Sequence, residues 1–176
     1  MLAGQQERLR TRSLRAFVHL QRLLVVDDEV SRKWSDLFVK REEKLEKLGA
    51  VHLLWHGIYA FKIDDSGAAT DLVFNDAVDV GDAVSISEGL VLTEWKKVKD
   101  PQEAGELFRR ACKQTDNYKR GPLAATQLMG YRFIVLVSVK QLTRKQMPKP
   151  VEANGLVYYP INIAVDPLSA SADAKQ

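Results

Sequence analysis

The stretch Leu90-Val91-Leu92-Thr93-Glu94-Trp95-Lys96 decides how this chain is interpreted, because an apolar run ends there in a carboxylate and an ammonium two residues apart. Side chains two apart on a β-strand share a face, so we expect Glu94 and Lys96 on one side and Trp95 in the opposite layer. Asp71 opens a shorter apolar run upstream. If the Asp71 strand pairs beside the Glu94 strand, two carboxylates and one ammonium converge at a sheet edge, which suits a hard divalent cation and a phosphate oxygen.

Length and composition indicate one compact domain. The chain has 176 residues, of which 45% are hydrophobic and 28% charged, as in ordinary globular proteins. No apolar stretch approaches the roughly 20 residues needed to span a bilayer, and the basic start lacks the apolar core of a secretory signal. We therefore expect a cytoplasmic protein without a membrane partner. The single cysteine, Cys112, excludes an internal disulfide and a multi-cysteine zinc site.

Charge is strongly segregated along the chain. Residues 49–93 carry 1 Lys or Arg against 7 Asp or Glu, a net charge of −6. Residues 94–149 carry 13 against 5, a net charge of +8. This asymmetry suggests an acidic rim that collects metal beside a basic surface that holds a polyanion. Two solvated faces that bind nothing are the alternative.

Hydrophobic periodicity predicts two helices and then a sheet. Residues 3–25 form an amphipathic, basic helix, and a second helix begins near Asp27 or Asp28 and runs to about Leu48, where Gly49 provides a stop. Val51 to Ile63 is predicted as a strand followed by a hairpin turn at 64–67. Two further strands follow at 70–75 and 89–98, and we expect these first three strands to be antiparallel.

The second half of the chain predicts a crossover helix. Asp100-Pro101 marks a helix start, with helical spacing continuing to Gly121. The buried strand at 131–138 should lie parallel to the third strand, because a helix between strands allows parallel pairing. Residues 145–154 are predicted as a loop and 156–165 as a last strand that Pro160 confines to an edge. The domains predicted are a basic arm helix at 1–26, a main domain at 27–168 and a disordered tail at 169–176.

The predicted order helix, strand, strand, strand, helix, strand, together with Asp71 and Glu94-Trp95-Lys96, resembles the PD-(D/E)xK nuclease superfamily. Thr70-Asp71 stands where that family usually has Pro-Asp. Gln114-Thr115-Asp116-Asn117-Tyr118 is similar to the Gln-x-x-x-Tyr element of its RecB-type branch, in which Gln114 and Tyr118, four residues apart, would share one helix face. The resemblance spans residues 38 to 140. It implies a mixed α/β (α+β) fold of restriction-endonuclease-like type, a mixed sheet flanked by helices, with an extra N-terminal helix.

The resemblance also implies a site. Asp71 and Glu94 would bind Mg²⁺ or Mn²⁺ together with the main-chain carbonyl of Trp95, and Lys96 would orient water or stabilise charge on the scissile phosphate. Many family members add a glutamate from the preceding helix, for which Glu42, Glu43 and Glu46 are candidates and Glu43 is favoured. An ordinary solvated helix face is the alternative for these glutamates.

Further residues would surround the site. Gln114 and Tyr118 would hold the nucleic-acid backbone or the catalytic lysine in place, or else pack on the sheet. His52 and His56 lie on the predicted strand with no third histidine or cysteine beside them, so a zinc site is rejected. The cations that would contact phosphates without choosing a sequence are Lys97, Lys99, Arg109, Arg110, Lys113, Lys119 and Arg120.

Two functions are compatible with these patterns. The first is a metal-dependent deoxyribonuclease that hydrolyses phosphodiester bonds by a water activated by Mg²⁺ or Mn²⁺. The second is a catalytically inactive module of the same fold that binds nucleic acid or a protein partner. The expected partner is DNA, with RNA as the alternative. We expect a homodimer or a subunit of a larger complex, because cutting both strands of a duplex usually needs two sites.

Overall fold

A mixed six-stranded sheet, flanked by helices, organises the chain. In the computed structural model, described for residues 3–40, 42–63, 70–72, 89–116 and 130–167, the strand order is β2-β1-β3-β4-β6-β5. The helices are α1 (Ala3–Val26), α2 (Asp28–Lys40), α3 (Glu42–Trp55) and α4 (Ala104–Asp116), with a 3-10 turn at Pro101–Glu103. The strands are β1 (Ile58–Ile63), β2 (Thr70–Leu72), β3 (Gly89–Val98), β4 (Tyr131–Ser138), β5 (Val151–Ala153) and β6 (Leu156–Ala164).

The central sheet is largely parallel, which corrects one prediction. β1 pairs in parallel with β3, so the prediction that the first three strands are antiparallel is wrong, although β2 is antiparallel to β1. β3 and β4 are parallel as predicted, and α4 provides the crossover between them. The mixed α/β class and the order from α3 through β1, β2, β3 and α4 to β4 agree with the sequence.

The helix boundaries between α2 and β1 differ from the prediction. Asp27 caps α2 as predicted, because its Oδ1 accepts hydrogen bonds from the backbone N–H groups of Glu29 and Val30, both at 3.0 Å. The predicted helix to Leu48 is two helices, and Gly49 lies inside α3 instead of ending it. A Cβ at Gly49 would lie 2.0 Å from Cη2 of Trp95, so the glycine serves close packing between α3 and the sheet.

The predicted strand over Val51 to Ile63 begins too early. Its first five residues complete α3, and β1 starts at Ile58. A short apolar segment fits a buried helix as well as a strand, and tertiary packing decides between them. The predicted turn at 64–67, the end of the predicted strand at 73–75 and the predicted tail at 169–176 lie outside the described residues.

The last two strands also correct the prediction. Residues 151–153, predicted as loop, form β5, and β6 lies between β4 and β5 instead of at the edge. β5 pairs with β6 only along Leu156 to Tyr158, so Pro160 lies beyond the end of β5. On that side of β6 the missing N–H of Pro160 breaks no hydrogen bond to β5, and the proline is tolerated.

Helices α1, α2 and α3 cover one face of the sheet. Phe17 and Leu20 of α1 are buried in the same cluster as Trp95 and Phe133, so α1 belongs to this helical layer and does not project as an arm. The other face carries a second apolar cluster built around Phe108 of α4. Within the described ranges, the helices include none with the length and apolarity that a membrane span requires.

Candidate metal centre and nucleic-acid interface

Buried Glu94 and half-buried Lys96 form an ion pair on β3. The Lys96 Nζ donates a hydrogen bond of 2.6 Å to Oε1 of Glu94. The Glu94 side chain is 8% exposed and the Lys96 side chain 18% exposed, so the pair is shielded from water and its attraction is stronger than at a surface. Trp95 packs in the opposite direction, against Gly49 of α3. The predicted shared face of Glu94 and Lys96 is confirmed.

A second carboxylate reaches the same ammonium from the start of α3. Oε1 of Glu42 lies 3.8 Å from the Lys96 Nζ, and its Oε2 accepts a hydrogen bond of 2.8 Å from the backbone N–H of Lys97. The bond to the Lys97 backbone fixes the first turn of α3 to β3. Two carboxylates therefore flank one ammonium, as the sequence suggested, but the second carboxylate belongs to Glu42.

The other two helix glutamates have different surroundings. Oε1 of Glu43, the favoured candidate, lies 3.3 Å from the Nζ of Lys47, and both side chains are about half exposed. Such an i, i+4 pair is an ordinary feature of a solvated helix surface. Glu46 is buried on α3. Glu42 contacts Lys96 whereas Glu43 pairs with Lys47, which favours Glu42 over Glu43 as the helix carboxylate.

Asp71 does not lie on the strand beside Glu94. Its strand β2 pairs with β1, with Asp71 opposite Lys62, and β1 in turn pairs with β3. The expected direct pairing of the Asp71 and Glu94 strands is wrong, because β1 occupies the position between them. Two strand spacings separate their backbones by about 10 Å. The structure describes Asp71 by its backbone, so its role as a ligand stays a prediction.

The remaining site residues are only partly described. The Trp95 backbone lies in the ladder opposite Val135 of β4. Gln114 is half-buried near the end of α4, while Tyr118 lies outside the described residues. Their predicted shared helix face therefore stays a prediction.

The predicted phosphate-binding cations differ in availability. The Lys97 ammonium lies 4.8 Å from the centre of the Phe38 ring and 3.4 Å from the carbonyl oxygen of Val39, so it is engaged with α2. Lys99 after β3 and three cations of α4 are exposed, whereas Lys119 and Arg120 lie outside the described residues. The exposed cations of α4 are Arg109, Arg110 and Lys113.

A histidine cluster was missed by the sequence reasoning. His52 lies in α3 and His56 in the turn after it, not on a strand, and His19 of α1 joins them. One ring nitrogen from each histidine lies within 4.8 Å of the other two. The reason given for rejecting a zinc site was therefore wrong. The spacing of four residues between His52 and His56 was the available local signal, because it fits a helix face.

No protein-family model, curated protein or solved structure matches this chain.

Burial lowers the pKa of two of the three clustered histidines, His52 and His56. Burial lowers the pKa of His52 from 6.5 to about 4, although the hydrogen bond to the Ala16 carbonyl opposes that shift. Burial also lowers the pKa of His56, with smaller contributions from His19 and from the positive charge of Arg12. His52 and His56 are therefore neutral near pH 7, the form that binds metals.

Proposed function

We propose that the protein is a metal-dependent deoxyribonuclease of the PD-(D/E)xK type with a restriction-endonuclease-like core. The observation that carries the proposal is the meeting of Glu94 and Glu42 at the ammonium of Lys96. A carboxylate pair suits a hard cation that activates water, and the half-buried ammonium beside it adds a positive charge for the phosphate. The order from α3 to β4 supports the same assignment.

The donor set fits Mg²⁺ or Mn²⁺. Both ions prefer carboxylate oxygens, and a bound ion would supply a lowered pKa for water and neutralisation of phosphate charge. Glu94 and Glu42 would hold the ion, and Asp71 is proposed as the third carboxylate. Once the carboxylates face a cation, the ammonium of Lys96 would be released from them to hold the phosphate or the attacking water.

Substrate would be held by the exposed cations that follow the site in sequence. Lys99 and the three exposed cations of α4 offer charge to phosphates, and such contacts bind nucleic acid without reading its sequence. Binding should weaken steeply as salt rises. We propose duplex DNA as the substrate and a homodimer as the acting form.

One observation favours the second candidate, a non-catalytic nucleic-acid-binding module of this fold. β1 separates the Asp71 strand from the Glu94 strand, and Lys96 neutralises Glu94 at 2.6 Å. A chain that uses this ion pair only for stability would bind DNA through α4 and cleave nothing.

Cleavage assays separate the two candidates. The protein is incubated with linear, circular and single-stranded DNA and with RNA, each with Mn²⁺ or with EDTA. The nuclease proposal expects Mn²⁺-dependent cleavage that falls at least about 100-fold in Lys96→Ala and Glu94→Gln, since each removes a group that acts in the transition state. Folding of both variants is checked by circular dichroism.

Three outcomes are informative. Salt-sensitive DNA binding without cleavage by the wild type establishes the binding module. Cleavage by Lys96→Ala at the wild-type rate removes the proposed mechanism. Cleavage of RNA but not DNA would support the proposed site and identify RNA as the substrate.

A further inference from the structure

All three histidines of the chain lie together, although His19 is 33 residues from His52 and 37 from His56. The ring centroids of each of the three pairs are 5.1 Å apart, so the rings form a nearly regular triangle. His19 is exposed, His56 half-buried and His52 buried, so the triangle runs from the surface into the helical layer. Among the described residues, the cluster contains the three histidines and no carboxylate.

His52 provides an independent sign of a ligand. Its ring is 3% exposed, and its Nε2 lies 3.0 Å from the carbonyl oxygen of Ala16. A carbonyl only accepts, so Nε2 carries the proton and donates it. Nδ1 then carries a lone pair, and this buried atom has no hydrogen-bond partner among the described residues. A buried polar atom without a partner costs free energy that a bound cation would recover.

The Ala16 bond is also the support that metal-binding histidines usually have. A ligating histidine commonly donates its other ring N–H to a carbonyl or carboxylate, which fixes its tautomer and orientation. Since Nε2 of His52 is occupied by Ala16, Nδ1 is its ligand atom. Ala16 lies on α1, three residues before His19, so α1 provides both a ligand and the carbonyl that orients another.

His19 and His56 already have the spacing of two ligands. Nδ1 of His19 and Nε2 of His56 are 3.2 Å apart. Two nitrogens bound tetrahedrally to zinc at about 2.0–2.1 Å lie about 3.4 Å from each other. The hydrogen bond that joins them in this structure would be replaced by two bonds to the ion, and its proton would sit on the other nitrogen of the donating ring.

We propose that His19, His52 and His56 bind one Zn²⁺ ion, with a fourth coordination position open to water on the exposed side of His19. Imidazole nitrogens suit zinc and other late transition metals, whereas Mg²⁺ and Mn²⁺ prefer oxygen. This site is therefore separate from the carboxylate centre and does not depend on the nuclease proposal. The positive charge of Arg12 acts on His56 and opposes cation binding, which limits the affinity.

Zinc would act as a cross-link between α1 and the end of α3. These elements are joined at this position by the bond between His52 and Ala16 and by the contact between His19 and His56. A ligand that binds only the folded state raises its stability in proportion to the logarithm of ligand concentration over Kd. Zinc should accordingly raise the melting temperature.

Calorimetric titration tests the proposal. Protein without a histidine tag is stripped with EDTA, dialysed and titrated with Zn²⁺, and Co²⁺ absorption reports the coordination geometry. We expect one high-affinity ion per chain. His19→Ala and His56→Asn should each lose affinity by at least about 100-fold, because each removes a direct ligand and the loss of an outer-shell partner alone costs about 10–100-fold. The ring of Trp55 lies 5.8 Å from that of His52, so Cu²⁺ bound at the histidines should quench the fluorescence of Trp55.

The controls separate this site from other metal-binding groups. Cys112→Ser removes the only thiol and Glu94→Gln alters the carboxylate centre, and neither should change zinc affinity. His52 is buried and its replacement can disturb folding, so the exposed His19 variant carries the test. Absence of wild-type binding, unchanged affinity in His19→Ala, or loss of binding in Cys112→Ser would overturn the proposal.

Discussion

Replacing Gly49 with alanine tests the contact between α3 and the strand that carries Glu94. The added Cβ would lie 2.0 Å from Cη2 and 2.2 Å from Cζ2 of Trp95. Carbon atoms in contact prefer about 3.5–4.0 Å, so the helix or the indole must move by about 1.5 Å. Trp95 is 2% exposed and lies against the rings of Phe17 and Trp34, so its ring has little room to swing.

Two opposing terms set the size of the effect. Overpacking of this kind costs about 1–3 kcal/mol, and two rigid groups in overlap place it near the upper end. Alanine in a helix interior is favoured over glycine by about 1 kcal/mol. The expected net loss is about 2 kcal/mol in the free energy of unfolding, or a fall of about 4–8 °C in Tm for a chain of this size.

Urea and thermal unfolding followed by far-UV circular dichroism measure this loss. Gly105→Ala on α4 is the matched control, because a Cβ there meets no atom of the described residues within 4 Å. It should be neutral or stabilising by up to about 1 kcal/mol. In a Trp95→Phe background the benzo ring is gone, so Gly49→Ala should lose most of its cost. If Gly49→Ala stabilises the wild type as Gly105→Ala does, the packing described here is refuted.

Two further predictions follow from single contacts. His52 has a folded-state pKa of about 4 against 6.5 for the free side chain. The stability that depends on its neutral form is therefore fully present above pH 6.5 and falls as pH drops from 6.5 to 4. The resulting loss in the free energy of unfolding is on the order of 3 kcal/mol. Urea unfolding of EDTA-treated protein from pH 8 to 4 measures it, and His52→Gln should flatten the curve; an equally steep curve in that variant contradicts the assignment. Asp27→Ala removes the cap of α2 and should cost about 1 kcal/mol, measured by thermal unfolding, whereas Asp28→Ala, inside the first turn, should cost less; equal losses would contradict the capping geometry.

Local patterns predicted the elements whose signals are strong. The apolar runs in β3 and β4 predicted the bounds of these strands, and the helix between them predicted their parallel pairing. The amphipathic spacing over 3–25 predicted α1. The prediction that a helix ends at Gly49 failed. Glycine commonly follows a helix end, whereas here its lack of a side chain leaves room for Trp95. Nothing near Gly49 in the sequence reveals a tryptophan 46 residues away.

The sequence predicted the part of the candidate site that lies on β3, but it did not predict which strand and which helix residues lie next to it. The alternation along β3 placed Glu94 and Lys96 together, because period two is a property of any strand. Which strand lies beside β3 depends on long-range pairing, so the position of β1 between β2 and β3 had no local signal. The choice of Glu42 over Glu43 depends on the rotation of α3, and the meeting of His19 with His52 depends on how α1 packs on α3.

The central claim is that Glu42 and Glu94 meet at Lys96 to hold a hard cation. Mn²⁺ binding to single variants of Glu94, Glu42 and the neighbouring Glu43 tests this claim most directly. Free Mn²⁺ is measured by electron paramagnetic resonance in a His19→Ala background, which removes a contribution from the histidine cluster. We predict weakened Mn²⁺ binding in Glu94→Gln and Glu42→Gln and unchanged binding in Glu43→Gln, whose carboxylate pairs with Lys47. Equal binding in all three variants, or a loss confined to Glu43→Gln, would contradict the account.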